Sequence, residues 1–329
     1  MLTEERIISL LEKTLGSRAK GIGDDCAVLP LPGARKLLAT TDMLIEGVDF
    51  DFRYCSFSDV GYKSVMVNLS DIAAMGGRPS SILVSLGIPG EPSPQRIRAL
   101  YHGMEKALTE AGCIVAGGDL SAAPAWTISI CALGEAVCKP KLRSDARPGH
   151  IVGLVGRLGW SAAGLQLLRA TRLAKKQKKV PGSWRKFIQQ HLRPQAQINA
   201  GRILGNSAHV AAMIDVSDGL STDLGRICKA SECGATLDAH LLSCERALCE
   251  VCNHLGVDPL ELMLNGGEDY ALLFTCKPRA FPAIATHLGK NGVPVAAIGS
   301  IMKRSDGLRI RDAYGASRPL IDSGFDHFK

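Results

Sequence analysis

Five times along this 329-residue chain an apolar run closes on glycine or a small polar residue and presents a carboxylate. The instances are Asp24-Asp25, Thr40-Thr41-Asp42, Gly118-Asp119, Asp215-Val216-Ser217-Asp218-Gly219 and Gly267-Glu268-Asp269. One such turn alone means little, because Gly and Asp are ordinary turn residues. Five point to a shared site. Carboxylates gathered at about 4 Å repel by roughly 1 to 4 kcal/mol per pair, depending on the effective dielectric, so a site built from them needs cations. All-oxygen ligation selects hard ions such as Mg²⁺. Carboxylate-held Mg²⁺ that bridges the β- and γ-oxygens of a nucleotide neutralises charge during phosphoryl transfer. The adjacent glycines carry no side-chain bulk, which lets backbone N–H groups approach phosphate oxygens.

Other chemistries fail at the residue level. There is no Gly-x-x-x-x-Gly-Lys-Ser/Thr segment, since Gly289-Lys290 is followed by Asn291, and the spacing of Gly153, Gly156 and Gly159 reads as a plain strand-to-helix turn. Cys249-x-x-Cys252, with Cys244 and His254 nearby, resembles half a zinc site, but no second pair exists. Leu248, Cys252 and Leu255 share one helical stripe, so a core-facing Cys-rich helix is expected. His102 and His191 stand alone on helical segments and are assigned no role.

The elements that must carry these acids follow from periodicity and caps. An amphipathic helix with Ile7, Ile8, Leu10, Leu11 and Leu15 leads into Gly21–Cys26. A strand over Lys36–Thr41 is expected to deliver Asp42 at its carboxyl end, where open α/β sheets place ligands. A helix over Ser58–Met75, capped by Ser58 or Asp59, aligns Val60, Ser64 and Val67 with Asp71. A strand over Ser81–Leu86, a helix over Pro94–Ala111, a buried strand over Cys113–Ala116 ending in Gly117-Gly118-Asp119, and a strand over Trp126–Val137 complete a first unit. The turn-rich segment Arg143–His150 marks the boundary, giving domains 1–142 and 143–329. The second unit reads as a strand over Ile151–Val155, helices from Ser161 and over Ala196–Asn206, and a strand over Ala211–Ile214 ending in Asp215. A helix after Ser221, the Cys-rich helix, and strands over Tyr270–Cys276 and Val295–Ile301 follow.

Composition bounds the rest. Hydrophobic residues at 46% and charged residues at 22% belong to a folded α/β enzyme, and 5% aromatics are too few for a stacking platform for single-stranded nucleic acid. The net charge of +7 is concentrated between Arg169 and Lys186, where Lys175, Lys176, Lys178 and Lys179 precede a Pro181-Gly182-Ser183 break. Without interleaved aromatics this reads as a solvated helix end and loop, not a nucleic-acid surface. Eleven scattered Cys and a start without a basic-then-apolar leader predict reduced thiols and a cytoplasmic protein. No window approaches the ~18 apolar residues of a spanning helix, so no membrane partner is expected.

Taken together, Gly21-Ile-Gly-Asp-Asp-Cys26, Thr41-Asp-Met-Leu44, Gly47-Val-Asp-Phe50, Val67-Asn-Leu-Ser-Asp-Ile-Ala-Ala-Met-Gly76, Gly117-Gly-Asp119, Ile214-Asp-Val-Ser-Asp-Gly-Leu220, Gly266-Gly-Glu-Asp-Tyr270 and Gly324-Phe-Asp-His-Phe328 resemble the thiamine-monophosphate kinase family, in order and over nearly the whole chain. Its wider superfamily includes aminoimidazole ribonucleotide synthetase, selenophosphate synthetase and a hydrogenase maturation factor. The resemblance implies a two-domain α/β (α+β) ATP-binding fold with an N-terminal mixed sheet and a C-terminal α/β domain. It also implies a homodimer formed through the N-terminal domain, with ATP, several Mg²⁺ ions and thiamine monophosphate bound near that interface. Carried over by motif, Asp25, Thr40, Thr41, Asp42, Asp71, Asp119, Asp215 and Asp218 would ligate Mg²⁺, with Asp71, Asp119 and Asp215 central to catalysis. Gly118, Asp119, Arg143, Ser217 and Tyr101 would hold the nucleotide, and Asp49 and Glu268 the thiamine moiety. The chain departs from the pattern at Leu120, Asn265 and Asp322, the last standing where some members place a stacking Trp; Phe325 is a stand-in for it.

Three readings remain open at this level: a kinase acting on a phosphorylated acceptor, a sister ATP-dependent synthetase, and a silent nucleotide-binding module. For Asp24 and Asp269 a capping role and a direct role stand side by side. Cys26 follows the Asp pair at the start of an apolar strand, and the chain ends at Lys329 without the terminal Cys of the maturation factor.

Overall fold

The computed structural model describes residues 3–18, 22–32, 36–91, 93–136, 138–173 and 180–325. Gly21, the lysines at 175–179 and the terminal 326–328 of the motifs above lie outside them.

The first domain runs α1 (Glu4–Leu15), β1 (Ala27–Pro30), β2 (Lys36–Ile45), α2 (Phe57–Ala74), β3 (Gly77–Ile88), α3 (Pro94–Ala111), β4 (Ile114–Ala122) and β5 (Thr127–Ala136). Its five strands lie in the order β1-β2-β5-β3-β4, with only the β3–β4 pair parallel, which makes the sheet mixed. The second domain runs β6 (Ile151–Val155), α4 (Trp160–Leu173), α5 (Arg185–Leu192), α6 (Ile198–Gly205), β7 (Val210–Val216), α7 (Leu220–Ala230), β8 (Cys233–Asp238), α8 (Arg246–Leu255), α9 (Pro259–Asn265), β9 (Ala271–Cys276), α10 (Phe281–Lys290), β10 (Val295–Lys303), β11 (Leu308–Arg311) and β12 (Ser317–Pro319). These seven strands order as β12-β11-β8-β10-β6-β9-β7. The Arg143–His150 segment falls in the connection between β5 and β6.

Helix α2 joins the two domains. It starts at Ser56, not at Ser58 or Asp59: the Ser56 hydroxyl accepts from the Asp59 N–H at 3.1 Å, and the Asp59 carboxylate accepts from the Ser56 N–H at 3.1 Å. This reciprocal box satisfies two of the helix's orphan donors. Fourteen of its residues are buried, so the helix needs neighbours on nearly every side. It packs on α3 and its own sheet, and also on α6 and β7 of the second domain. Two glycines set the α2–α3 distance. A Cβ at Gly61 would collide with the Leu100 carbonyl and one at Gly103 with the Ser58 carbonyl. Across the seam, Ala74 of α2 joins the cluster of Leu272 and Phe274 on β9, and Tyr270 packs into the core of the first domain.

Several expectations change. Strand β2 does not end at Thr41, because β5 keeps pairing with it as far as Ile45 opposite Thr127, so Asp42 lies within the strand. Strand β4 is not buried. It borders β3 alone, forms the sheet edge, and all nine of its residues are exposed, with Gly117-Gly118-Asp119 in its interior. Its apolar run was the signal for burial, yet Ile114 and Leu120 are 65% and 67% exposed. Helices α9 and α10 and strands β8, β11 and β12 were not anticipated, whereas the helical segment expected around His191 is α5. In the Cys-rich helix α8, Leu248, Val251 and Cys252 face the core, while Cys249 lies beside Cys244, their Cα atoms 6.3 Å apart. No helix among the described residues is long and apolar enough to cross a membrane.

Gly103→Ala is expected to destabilise the protein by about 1–3 kcal/mol through overpacking at α2. Urea unfolding followed by circular dichroism reads this directly, and an unchanged midpoint would mean α3 moves off α2 without cost.

Candidate active site

A cavity of about 1270 Å³ opens between the domains, and most of the expected site residues line it. At its floor, Asp25 from the loop before β1, Asp71 from the last turn of α2 and Asp215 from β7 bring carboxylate oxygens within 4.8 Å of one another. Each has a supporting donor. The Thr40 hydroxyl donates to Asp71 Oδ2 at 2.6 Å, the Ser70 hydroxyl donates to Asp215 Oδ2 at 2.6 Å, and the Arg143 guanidinium pairs with Asp25. Asp42 approaches from β2, where its backbone N–H donates to Asn68 Oδ1 at 2.9 Å.

Burial, reinforced by mutual repulsion, holds the proton affinities of Asp71 and Asp215 well above the carboxylate range and moves Asp42 to about 6. Asp25 is raised by burial against the opposing pull of Arg143. Its Oδ2 and the Nε of Arg143 are buried without a hydrogen-bond partner. Such groups are costly unless something binds them. Three clustered carboxylates, those of Asp25 and Asp215 buried and that of Asp71 partly buried, with Asp25 Oδ2 left unpaired, make a donor set suited to a hard cation.

The neighbouring acids divide by role. Asp24 Oδ1 accepts from the Arg143 N–H at 2.8 Å, and Asp269 accepts from the Gly159 N–H at 2.5 Å and the Ser161 N–H at 2.9 Å, so both secure backbone. Asp218 pairs with Arg226 at 2.6 Å, on a turn that Asp223 holds by accepting from the Ser217 and Asp218 N–H groups, each at 3.1 Å. Ser217 and Asp218 line the cavity, as do Thr40, Thr41 and Arg143.

A second group of polar residues gathers at the same cavity, which Asp49, His191 and Glu268 line with Lys63 behind them. Glu268 pairs with Lys63 of α2 and lies 3.1 Å from His191 of α5, while Asp49 Oδ2 accepts from the Ile45 N–H at 2.8 Å. Glu268 and Tyr270 have φ of 64° and 50°, in the left-handed region that costs a non-glycine residue of order 1–3 kcal/mol. His191, assigned no role from sequence, is therefore part of the site. So are Lys63, Asn68 and Ser70, whose one sequence signal is polarity within an otherwise apolar helix.

Three expected residues stand apart. Gly118 and Asp119 sit on the exposed strand β4, and the glycine serves strand pairing there, since a Cβ would strike the Val84 carbonyl. Tyr101 lines a separate cavity of about 590 Å³ between α3 and β4. Of the departures, Asp322 accepts from the Thr222 hydroxyl at 2.6 Å, Asn265 accepts from the Ser221 hydroxyl at 2.7 Å, and Phe325 lines the main cavity.

Residues 23–136 match the family model of the AIR synthase related protein N-terminal domain, and 147–310 match its C-terminal domain. Fold and matched models define a two-domain protein of the AIR synthase related class. Thiamine-monophosphate kinase of Rhodopirellula baltica is 35% identical over 317 residues, covering 94% of this chain and 91% of its own. That of Escherichia coli is 37% identical over 316 residues, with coverages of 94% and 91%. A solved structure described as AaThiL complexed with AMPPCP and TMP superposes with a TM-score of 0.87 at 33% identity, covering 99% of this chain and 97% of its own. Within that class, the chain belongs to the thiamine-monophosphate kinase family.

Magnesium ions are expected to raise the thermal midpoint more at pH 8 than at pH 5.5. The folded-state proton affinities of Asp71 and Asp215 are raised, so protons compete with the metal at low pH and leave as pH rises, exposing the repulsion that a cation relieves. Differential scanning fluorimetry with and without chelator tests it; a magnesium shift equal at both pH values would remove these acids from the metal site.

Proposed function

We propose that this protein transfers the γ-phosphate of ATP to thiamine monophosphate, forming thiamine diphosphate and ADP. The observation that carries the reading is the meeting of Asp25, Asp71 and Asp215 from two domains on the floor of one large cavity, in a chain of this family. Asp25, Thr40, Thr41, Asp42, Asp71, Asp215 and Asp218 would hold Mg²⁺, which when bound supplies neutralisation of the triphosphate charge. Arg143 and Ser217, which line the cavity, would bind phosphate oxygens, and Asp49 and Glu268 would bind the thiamine moiety at the other group of polar residues.

The acceptor's phosphate oxygen is already an anionic nucleophile, so the protein needs to position it and requires no strong base. Direct in-line transfer suits this site. Asp25, Asp71 and Asp215 are engaged with a guanidinium or hydroxyl donors and His191 is tied to Glu268, which makes these four poor phosphate relays. A thiol relay is equally unsuited, because burial among these acids pushes the Cys26 thiol well above its usual range and leaves it protonated. A cytoplasmic setting, where ATP and free Mg²⁺ are at hand, agrees with this chemistry.

The exposure of Asp119 would be accounted for by a second copy. An edge strand with Ile114, Val115 and Leu120 exposed invites pairing. We infer a homodimer closed through β4, with Asp119, Gly118 and Tyr101 completing a nucleotide site near that interface. Leu120→Glu is expected to shift the protein to monomer in analytical ultracentrifugation and to lower turnover together with it. A fully active monomer would dismiss Asp119 from the site.

Coupled ADP release with ATP, Mg²⁺ and thiamine monophosphate should show turnover, and thiamine in its place should show none. Asp71→Asn keeps the shape of the site and removes one charge, and is expected to lower turnover by at least about 100-fold with the fold intact. Wild-type turnover in that variant would make Asp71 structural, and absence of turnover with the phosphorylated acceptor would remove the function.

A further inference from the structure

Lys63 is the one charged side chain among the fourteen buried residues of α2, and His191 at the end of α5 is equally enclosed. Burying a cation costs several kcal/mol unless a partner repays it, so a lysine kept there is doing something a leucine would not. Its ammonium pairs with Glu268 Oε1 and donates to the Asp49 carbonyl at 3.2 Å. His191 approaches the other oxygen, Oε2, at 3.1 Å through Nδ1, and the same Nδ1 lies 3.0 Å from the Ser161 hydroxyl.

Those contacts decide what the cluster is. A serine–histidine–glutamate relay needs the hydroxyl and the carboxylate on opposite ring nitrogens. Here both meet Nδ1, so no proton can pass through the ring from one to the other. Glu268, held ionised at about 2 chiefly by Lys63 against the cost of burial, can only accept. Burial keeps the imidazole neutral, and Nδ1 therefore carries the proton that Oε2 receives. The result is a carboxylate whose two oxygens are each fixed by a separate donor, one from each domain, on a backbone already in the left-handed region. Lys63 offsets its charge, so what faces the cavity is a rigid acceptor and not a free anion. Such a group selects for an N–H donor on the ligand over a bare cation.

We propose that Lys63 and His191 are positioning residues that clamp Glu268 between the two domains, so that its carboxylate recognises the amino group of the acceptor's aminopyrimidine ring. The assignment rests on thiamine monophosphate being the acceptor. It places acceptor specificity in the seam between the domains, because neither domain alone holds both oxygens.

Calorimetric titration of the full-length protein with thiamine monophosphate, and separately with a non-hydrolysable ATP analogue and Mg²⁺, tests it. Lys63→Met and His191→Leu are each expected to raise the thiamine monophosphate Kd about tenfold or more, while the analogue's Kd stays within about twofold. His191→Asn, whose amide N–H can take the place of Nδ1–H, should recover most of the lost affinity. Lys63→Gln replaces the methionine variant if the latter does not fold. Unchanged acceptor affinity, equal weakening of both ligands, or an asparagine variant as weak as the leucine one would each overturn the clamp. Wild-type protein that binds the nucleotide analogue but not thiamine monophosphate would instead overturn the function on which it rests.

Discussion

Repulsion among carboxylates that the fold forces together is the constraint around which this molecule is arranged. Asp25, Asp71 and Asp215 arrive from a loop, a helix and a strand of two domains, and they meet where water is scarce. Burial raises the proton affinity of each above that of a free carboxylate. Hydroxyl donors from Thr40 and Ser70 and the guanidinium of Arg143 offset part of the cost. The remainder is what a bound divalent cation would offset under the function proposed above. Binding and electrostatic relief would then be the same event.

One helix makes that meeting possible. Adjacent residues of α2 serve both domains: Asp71 contributes its carboxylate, and Ser70 reaches across to Asp215. Lys63 lies eight residues earlier, about 12 Å along the axis at 1.5 Å per residue, and ties down Glu268. The separation between the clustered acids and the Glu268 group is thus set largely by the rise of a single rigid element. Rigidity comes from its surroundings, with close glycine contacts to α3 on one side and the β7 and α6 surfaces on another. Preorganisation of this kind matters most for phosphoryl transfer, where positioning and charge do nearly all the work.

The strain at Glu268 and Tyr270 belongs to the same arrangement. Two non-glycine residues in the left-handed region within three positions would be costly in an isolated loop. Here Asp269 between them is anchored on the backbone N–H groups of the β6–α4 turn, and Tyr270 is buried in the first domain's core. The loop is held from both sides, which is what lets a short polar segment point one carboxylate into the cavity and the next into the scaffold.

How far sequence alone reached depended on whether a signal was local. Acid-bearing turns, the α3 boundaries and the glycine turn at 156–159 are written in neighbouring residues, because caps, periodicity and positive-φ turns are short-range effects. The recurrence of acids beside glycines was enough to point to a shared acidic site, which Asp25, Asp71 and Asp215 form. Which acid does what was not legible. Asp24 and Asp269 became backbone anchors, and His191 and Lys63 joined the site, because each role is decided by a partner far away in the chain: 119 residues for Asp24, 110 for Asp269 and 77 and 205 for the two contacts to Glu268. The exposure of β4 was hidden for a related reason. An apolar run has the same pattern whether a neighbouring strand covers it or not, and only the strand order of the folded sheet left Asp119 at an open edge.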